Sequence, residues 1–171
     1  MKLTTKTEYG LVCLKYLLEH SEGKPISVTE IAAKERIQKD YIEQIFSKLR
    51  KADIVRSVQG LHGGFVLSRE PSQMTLKQIV EALEGDIFEV FCSPRIRERI
   101  VCEHFSRCSI RPVWTKLEKL IDEFCSSITL EMLREDEPVL EKQLETLSVG
   151  VVPGGPSRSY GIKFINGIGM P

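Results

Sequence analysis

Ser27-Val-Thr-Glu-Ile-Ala-Ala-Lys-Glu-Arg-Ile-Gln-Lys-Asp-Tyr-Ile-Glu-Gln-Ile-Phe-Ser-Lys-Leu-Arg-Lys51 is the stretch whose reading decides the fold. Ser27 and Glu30 carry the spacing of a capping box, in which the hydroxyl accepts from the Glu30 amide and the carboxylate reaches back to the Ser27 amide, so a helix starts here. Val28, Ile31 and Ala32 give that helix an apolar face, and Glu35-Arg36 breaks it. Tyr41, Ile42, Ile45, Phe46 and Leu49 then trace one stripe of a second amphipathic helix. Its other face carries Lys39, Asp40, Glu43, Gln44, Ser47, Lys48 and Lys51. Two short helices in this arrangement match the helix-turn-helix, whose second helix enters the major groove of DNA. A solvated helix pair in any small α domain would show the same surface, so these residues alone leave both readings open.

Working outward, Ile54 to Val58 is β-branched and alternating, Gly60-Leu-His-Gly-Gly64 is a glycine-rich tip, and Phe65 to Ser68 reads as a second strand. A hairpin directly after a recognition-helix candidate makes a winged helix. Gln59 and His62 at its tip can donate hydrogen bonds to a phosphate backbone or into the minor groove. The tip lacks the Lys-Ser/Thr and the following helix of a nucleotide-phosphate loop. On the other side, Thr5 and Glu8 repeat the capping-box spacing, and Tyr9, Val12, Cys13, Tyr16 and Leu17 recur at helical period until Ser21, Gly23 and Pro25. Gly10 inside this helix points to close approach by a neighbouring element.

Beyond Pro71, Thr75 with Gln78 forms a third box, opening a short core helix that ends at Gly85. Residues 86–111 are irregular and arginine-rich, with Cys92, Cys102 and Cys108. From Pro112, the residues Val113, Leu117, Leu120, Ile121, Phe124 and Ile128 trace a long stripe with no unused counterpart in the winged domain. This predicts a homodimer through the 112–130 helix; packing back on its own domain is the alternative. A short helical turn follows Ser127, and Pro138 to Leu147 reads as a charged amphipathic segment. The Gly- and Pro-rich remainder is expected to be flexible, although Tyr160-Gly-Ile-Lys-Phe-Ile165 could pair as an edge strand. The expected fold is mainly α with a small β-hairpin wing: a winged helix-turn-helix over 1–85, a cysteine-containing sensor loop over 86–111, a long dimerisation helix within 112–135, and a C-terminal tail over 136–171.

The 171 residues hold one ordinary core, and the 42% apolar and 28% charged content is that of a globular protein. Net charge is zero, yet residues 1–69 carry 12 basic against 8 acidic groups while residues 70–171 carry 12 against 16. The basic excess thus sits where counterion release from DNA would use it. No apolar run is long enough to span a bilayer and no signal peptide is evident, so no membrane partner and a cytoplasmic location are expected. Five cysteines, an odd number, argue against a disulfide framework and leave metal binding, redox chemistry or packing. No acid–base pair or nucleophile constellation marks an enzyme.

Together, the opening Lys2-Leu-Thr-Thr-Lys6, the run Tyr41 to Lys51, the wing Ser57-Val-Gln-Gly-Leu-His-Gly-Gly-Phe65 and three cysteines ahead of the dimer helix resemble the IscR and NsrR (Rrf) family of bacterial winged-helix regulators, from Met1 to about Leu133. The resemblance implies a homodimeric regulator of transcription on double-stranded operator DNA, in the repressor polarity, with an iron-sulfur cluster (2Fe-2S or 4Fe-4S) on Cys92, Cys102 and Cys108, sensing nitric oxide, redox or iron status. Thiolates are the ligands such clusters need, and Arg95, Arg97, Arg99, Arg107 and Arg111 would lower thiol pKa and offset the cluster's charge. The spacing C-x9-C-x5-C has a longer first gap than the family's. Iron-sulfur biogenesis regulators place a histidine three residues past the last cysteine, where this chain has Arg111, which cannot ligate. Redox and nitric-oxide sensors of the family take a carboxylate from the partner's first helix instead, and Glu8 stands at that position; its alternative role is the capping box. His104 is a third candidate, and Cys13 and Cys125 read as packing residues.

For DNA, the resemblance assigns contacts to Asp40, Tyr41, Glu43 and Gln44 and, in the wing, to Gln59, Gly60 and Gly63. Glu43 would select cytosine amino groups and Gln44 can pair bidentately with adenine, while Lys48, Arg50 and Lys51 should hold phosphates. Gln59 replaces an arginine common in the family, which removes a guanine reader. The competing expectation is a clusterless or thiol-based winged-helix regulator controlled by cysteine oxidation or by binding another protein. A zinc site on the same thiols is a further alternative.

Overall fold

The computed structural model describes residues 3–60, 62–88 and 108–147. In chain order these form α1 (Thr5–His20), α2 (Val28–Glu35), α3 (Lys39–Lys51), β1 (Val55–Val58), β2 (Gly64–Leu67), a 3-10 turn (Pro71–Gln73), α4 (Leu76–Glu84), α5 (Ile110–Ser127), a second 3-10 turn (Glu131–Arg134) and α6 (Glu137–Thr146). The architecture is mainly helical with a two-stranded antiparallel hairpin, as the pattern predicted. Among the described residues no helix is long and apolar enough to cross a membrane.

Local chemistry accounts for most of the boundaries. Thr75 and Gln78 make the complete reciprocal box, each amide donating 3.3 Å to the other's side chain, so α4 begins where expected. Ser27 accepts from the Glu30 amide at 3.1 Å and starts α2, but the Glu30 carboxylate turns away to accept from the Tyr16 hydroxyl at 3.2 Å, so only half of that box exists. Arg36 in the left-handed region (φ 56°) ends α2 and swings the chain into α3. The first helix corrects the expectation at its start. Its N-cap is Thr4, not Thr5, and Glu8 does not reach back to cap it.

The buried faces of the first three helices meet in one core, whereas Tyr9 and Val12 of the stripe expected on α1 stay exposed. Leu14, Leu17, Ile31, Ile42, Ile45, Phe46 and Leu49 are fully buried together with Ile54 and Met74. Burying each such side chain contributes about 1.5–3 kcal/mol. Gly10 lets α4 sit directly on α1: a Cβ there would stand 2.5 Å from Leu83 Cδ1.

The hairpin pairs Val55 with Leu67 and Ser57 with Phe65, and Ile26, two residues before α2, extends it. Ile26 and Phe65 exchange two backbone hydrogen bonds of 3.0 and 2.8 Å. Gly64 permits this, because a Cβ there would run into the Ile26 carbonyl. The wing is thereby sewn to the start of α2, and the Phe46 and Phe65 rings, 4.5 Å apart, tie it to α3.

The segment after α5 was expected only as a turn, yet it completes the core of the first module. Leu76 N–H donates to Ile128 O and Leu130 N–H to Met74 O, both at 2.8 Å, and Leu130 is fully buried. Lys15 Nζ then donates to Leu133 O at 2.8 Å, holding the second 3-10 turn on α1. α5 lies across α4, fastened by a Lys77–Asp122 ion pair and by Trp114 packing 6.2 Å from Phe88. No α5 residue is fully buried. Val113 is 62% exposed, and Ile110, Trp114, Leu117 and Phe124 are exposed as well.

Candidate nucleic-acid interface and sensor site

At about 3.6 residues per turn, Asp40, Gln44, Ser47 and Lys51 stand opposite the buried stripe of α3, with Lys39, Glu43 and Arg50 flanking them on one side and Tyr41 and Lys48 on the other. Asp40, Glu43, Gln44, Arg50 and Lys51 are exposed, available to base edges and phosphates. Lys39 and Glu43 form an i,i+4 pair at 3.9 Å. Both are more than half exposed, so the pair adds little stability. Tyr41 is half-buried, its ring set edge-on to Tyr9 at 5.8 Å, which fixes the first turn of α3 against α1.

Lys48, exposed on the same helix, also makes a contact within its own chain. Its ammonium donates at 2.5 Å to Leu83 O at the end of α4. Burial, reinforced by the nearby Lys6 ammonium, holds its pKa below the ordinary lysine value. Lys48 therefore braces α3 against the negative end of the α4 dipole.

In the wing, Gln59, Gly60 and His62 are exposed and Gly63 is half-buried. Gly60 adopts φ +128°, and a Cβ on Gly63 would lie 2.6 Å from Val58 O. The backbone at this tip takes a course closed to larger residues, leaving its amides and the Gln59 and His62 side chains near the surface.

Of the cluster-ligand candidates, Cys92, Cys102 and His104 lie outside the described residues, as do Arg95, Arg97, Arg99 and Arg107. Cys108 is a half-buried free thiol two residues ahead of α5. Glu8 is exposed, and it neither accepts a hydrogen bond nor forms an ion pair among the described residues. It borders an apolar cleft of about 440 Å³ between α1, α4 and α5, walled by Leu11, Val80, Leu120, Ile121 and Phe124. No three metal-capable side chains converge among the described residues. Cys13 is sealed in the core, where burial pushes its thiol up to about 12, so it packs rather than ligates. Burial, with Asp122 beside it, also raises the Cys125 thiol.

The residue that sequence reading missed is Glu84. Its Oε1 accepts from Thr4 N–H at 3.2 Å, from the Thr4 hydroxyl, and from the Thr7 hydroxyl at 2.8 Å, with Lys6 Nζ 3.9 Å from Oε2. It thus caps α1 from a position 80 residues away. Burial alone would raise its pKa, but the Thr4 and Thr7 hydrogen bonds, with Lys6, hold it below the usual carboxylate value. One signal was available. A glutamate in the last turn of a helix opposes the dipole, so Glu84 ahead of Gly85 needed donors from elsewhere.

A helix-turn-helix braced by α1 and α4, carrying a hairpin wing sewn to its entry, defines a winged-helix DNA-binding protein. Residues 3–136 match the Rrf2 family, described as iron-dependent transcriptional regulator, and the chain belongs to that family of transcription regulators, which are not enzymes. It is 34% identical over 141 residues to the HTH-type transcriptional regulator IscR of Vibrio atlanticus, covering 82% of this chain and 79% of that one. Among solved structures it resembles CymR, the global cysteine regulator of B. subtilis, with a TM-score of 0.65 and 33% identity over 78% of this chain and 96% of that one. The T. potens IscR structure superposes with a TM-score of 0.61 and 33% identity, covering 81% and 90% of the two chains.

Proposed function

We propose that this chain works as a homodimeric cytoplasmic repressor whose operator affinity is set by an iron-sulfur cluster held by Cys92, Cys102 and Cys108, with Glu8 of the partner protomer as fourth ligand. The observation that carries the reading is the state of Glu8. Its competing role as a helix cap is taken by Thr4 and Glu84, which leaves an exposed carboxylate without a structural duty. Three thiolates and one carboxylate form a donor set suited to iron, and Cys108 is a free, half-buried thiol where the cysteine loop enters α5. When bound, such a cluster supplies a centre whose charge and integrity respond to nitric oxide, oxygen and iron supply.

The chain's own residues transmit that state. The exposed stripe Ile110, Val113, Trp114 and Leu117 is the face that meets a second copy. Cys108 anchors the first turn of this helix, so a change at the thiol tilts the paired helices and with them two recognition helices about 34 Å apart on the operator. Gln44 and Glu43 read bases, Gln59 and His62 touch the flanking groove, and Arg50 and Lys51 hold phosphates.

The test is air-free purification with iron and sulfide analysis, followed by operator binding at one fixed salt concentration. A thiolate-to-iron absorption band that Cys102→Ala abolishes, with operator affinity changing at least tenfold between loaded and stripped protein, is the expected result. The likeness to the cysteine regulator favours the second reading, a clusterless thiol switch. Iron-free protein whose DNA affinity changes on oxidation would establish that reading and remove the first.

A further inference from the structure

α6 does more than prolong the chain. Between it and α1 runs a groove of about 500 Å³, floored by Leu11, Val12, Leu133, Leu140 and Leu144. Its rim is acidic, with Glu135, Glu137 and Glu141 against the single Lys15, which is itself paired with Glu19 at 3.2 Å. An apolar channel with such a rim selects an apolar segment carrying positive charge.

The chain supplies one. From Ser148 to Pro171 there is no Asp or Glu, and the basic residues are Arg158 and Lys163. Tyr160, Ile162 and Phe164 alternate with Gly161, Lys163 and Ile165, a period of two that puts three large apolar side chains on one side when the segment is extended. Spacing fits as well. In extended form Tyr160 to Phe164 covers roughly 13 Å, and the ten residues of α6 run about 15 Å.

We propose that the segment Tyr160 to Ile165 docks in the α1–α6 groove of its own chain, with Tyr160, Ile162 and Phe164 on the leucine floor and Lys163 against Glu141. The connection permits it. α6 ends at Thr146 on the edge of the groove, and the chain from Leu147 to Tyr160 reaches roughly 40 Å if extended, far more than the ~10 Å between packed helices. A link of this length gives an effective concentration on the order of millimolar. A contact with a Kd near 100 µM between separate molecules would thus be closed about nine-tenths of the time within one chain.

Hydrogen exchange on the full-length protein, read at residues 9–16 and 131–147, tests the assignment. Paired Ile162→Asp and Phe164→Asp substitutions should speed exchange in both stretches about fivefold while leaving α3 unchanged. Glu141→Lys alone and Lys163→Glu alone should each give part of that loss, and the two together should restore protection. All of these positions are in the tail or on an exposed helix face, so the fold survives each change. Unaltered exchange in the tail variants would overturn the proposal, as would a charge swap that fails to restore protection. Protection that fades on tenfold dilution would place a second copy's tail in the groove, and that too would overturn it.

Discussion

α1 and α5 are nearly the same length, 16 and 18 residues, and both carry an apolar stripe at helical spacing, yet they end in opposite conditions. α1 buries seven of its residues, including Cys13, Leu14 and Leu17, because α3, α4 and the hairpin close around it. α5 buries none, and much of its stripe looks outward. Periodicity identifies a face that must be covered; it does not say by what. For α1 the cover is in the same chain, and for α5 we assign it to a second copy.

Substitutions at the two helices and their anchors sharpen or break that contrast. The largest effect is expected in the module around α1, where Leu14→Ala or Phe46→Ala should lower unfolding free energy by about 3–5 kcal/mol, measured by urea denaturation. Gly64→Ala comes next, at about 1–3 kcal/mol, because its methyl would displace the Ile26 backbone and loosen the wing. Operator affinity should fall with it.

Glu84→Gln should cost about 1–2 kcal/mol at neutral pH by weakening charged hydrogen bonds, and its signature is in the pH profile. The folded pKa of Glu84 lies below its ordinary 4.5, so its stabilisation is fully present above that value and is lost as pH falls through the lower folded value. Wild-type stability should therefore drop more steeply than the variant's below pH 4.5, and parallel acid limbs would remove Glu84 as the cap of α1.

The smallest effect on chain folding belongs to α5. Val113→Ser with Leu117→Ser should change the stability of the isolated protomer by less than about 0.5 kcal/mol, while sedimentation shows the assembly falling to half its mass. A concentration-independent loss as large as that of Leu14→Ala would mean α5 is satisfied within its own chain, and the contrast with α1 would vanish.

How much could be read in advance follows from the range of each interaction. The recognition helix, the Ser27 cap of the helix before it, the Thr75–Gln78 box and the hairpin are set by residues three to ten apart, and all were visible as spacing. Lys48 is the counterexample on the same helix. Its outward position was legible as spacing, but its hydrogen bond to Leu83 O, 35 residues on, was not. The cysteine loop was legible only as composition, and Cys92 and Cys102 lie outside the described residues.

By itself the sequence determined a winged helix-turn-helix followed by a long amphipathic helix, because caps, turn glycines and apolar periods act over a few residues and together mark each element where it stands. The tertiary structure alone decided that Glu84 rather than Glu8 caps α1, that Leu130 returns to complete the first core, and that α5 keeps its apolar face exposed. Each of those joins residues brought together only by the packed fold, where burial makes an unmatched donor or acceptor too costly to leave, and no pattern of neighbours along the chain encodes which distant group will satisfy it.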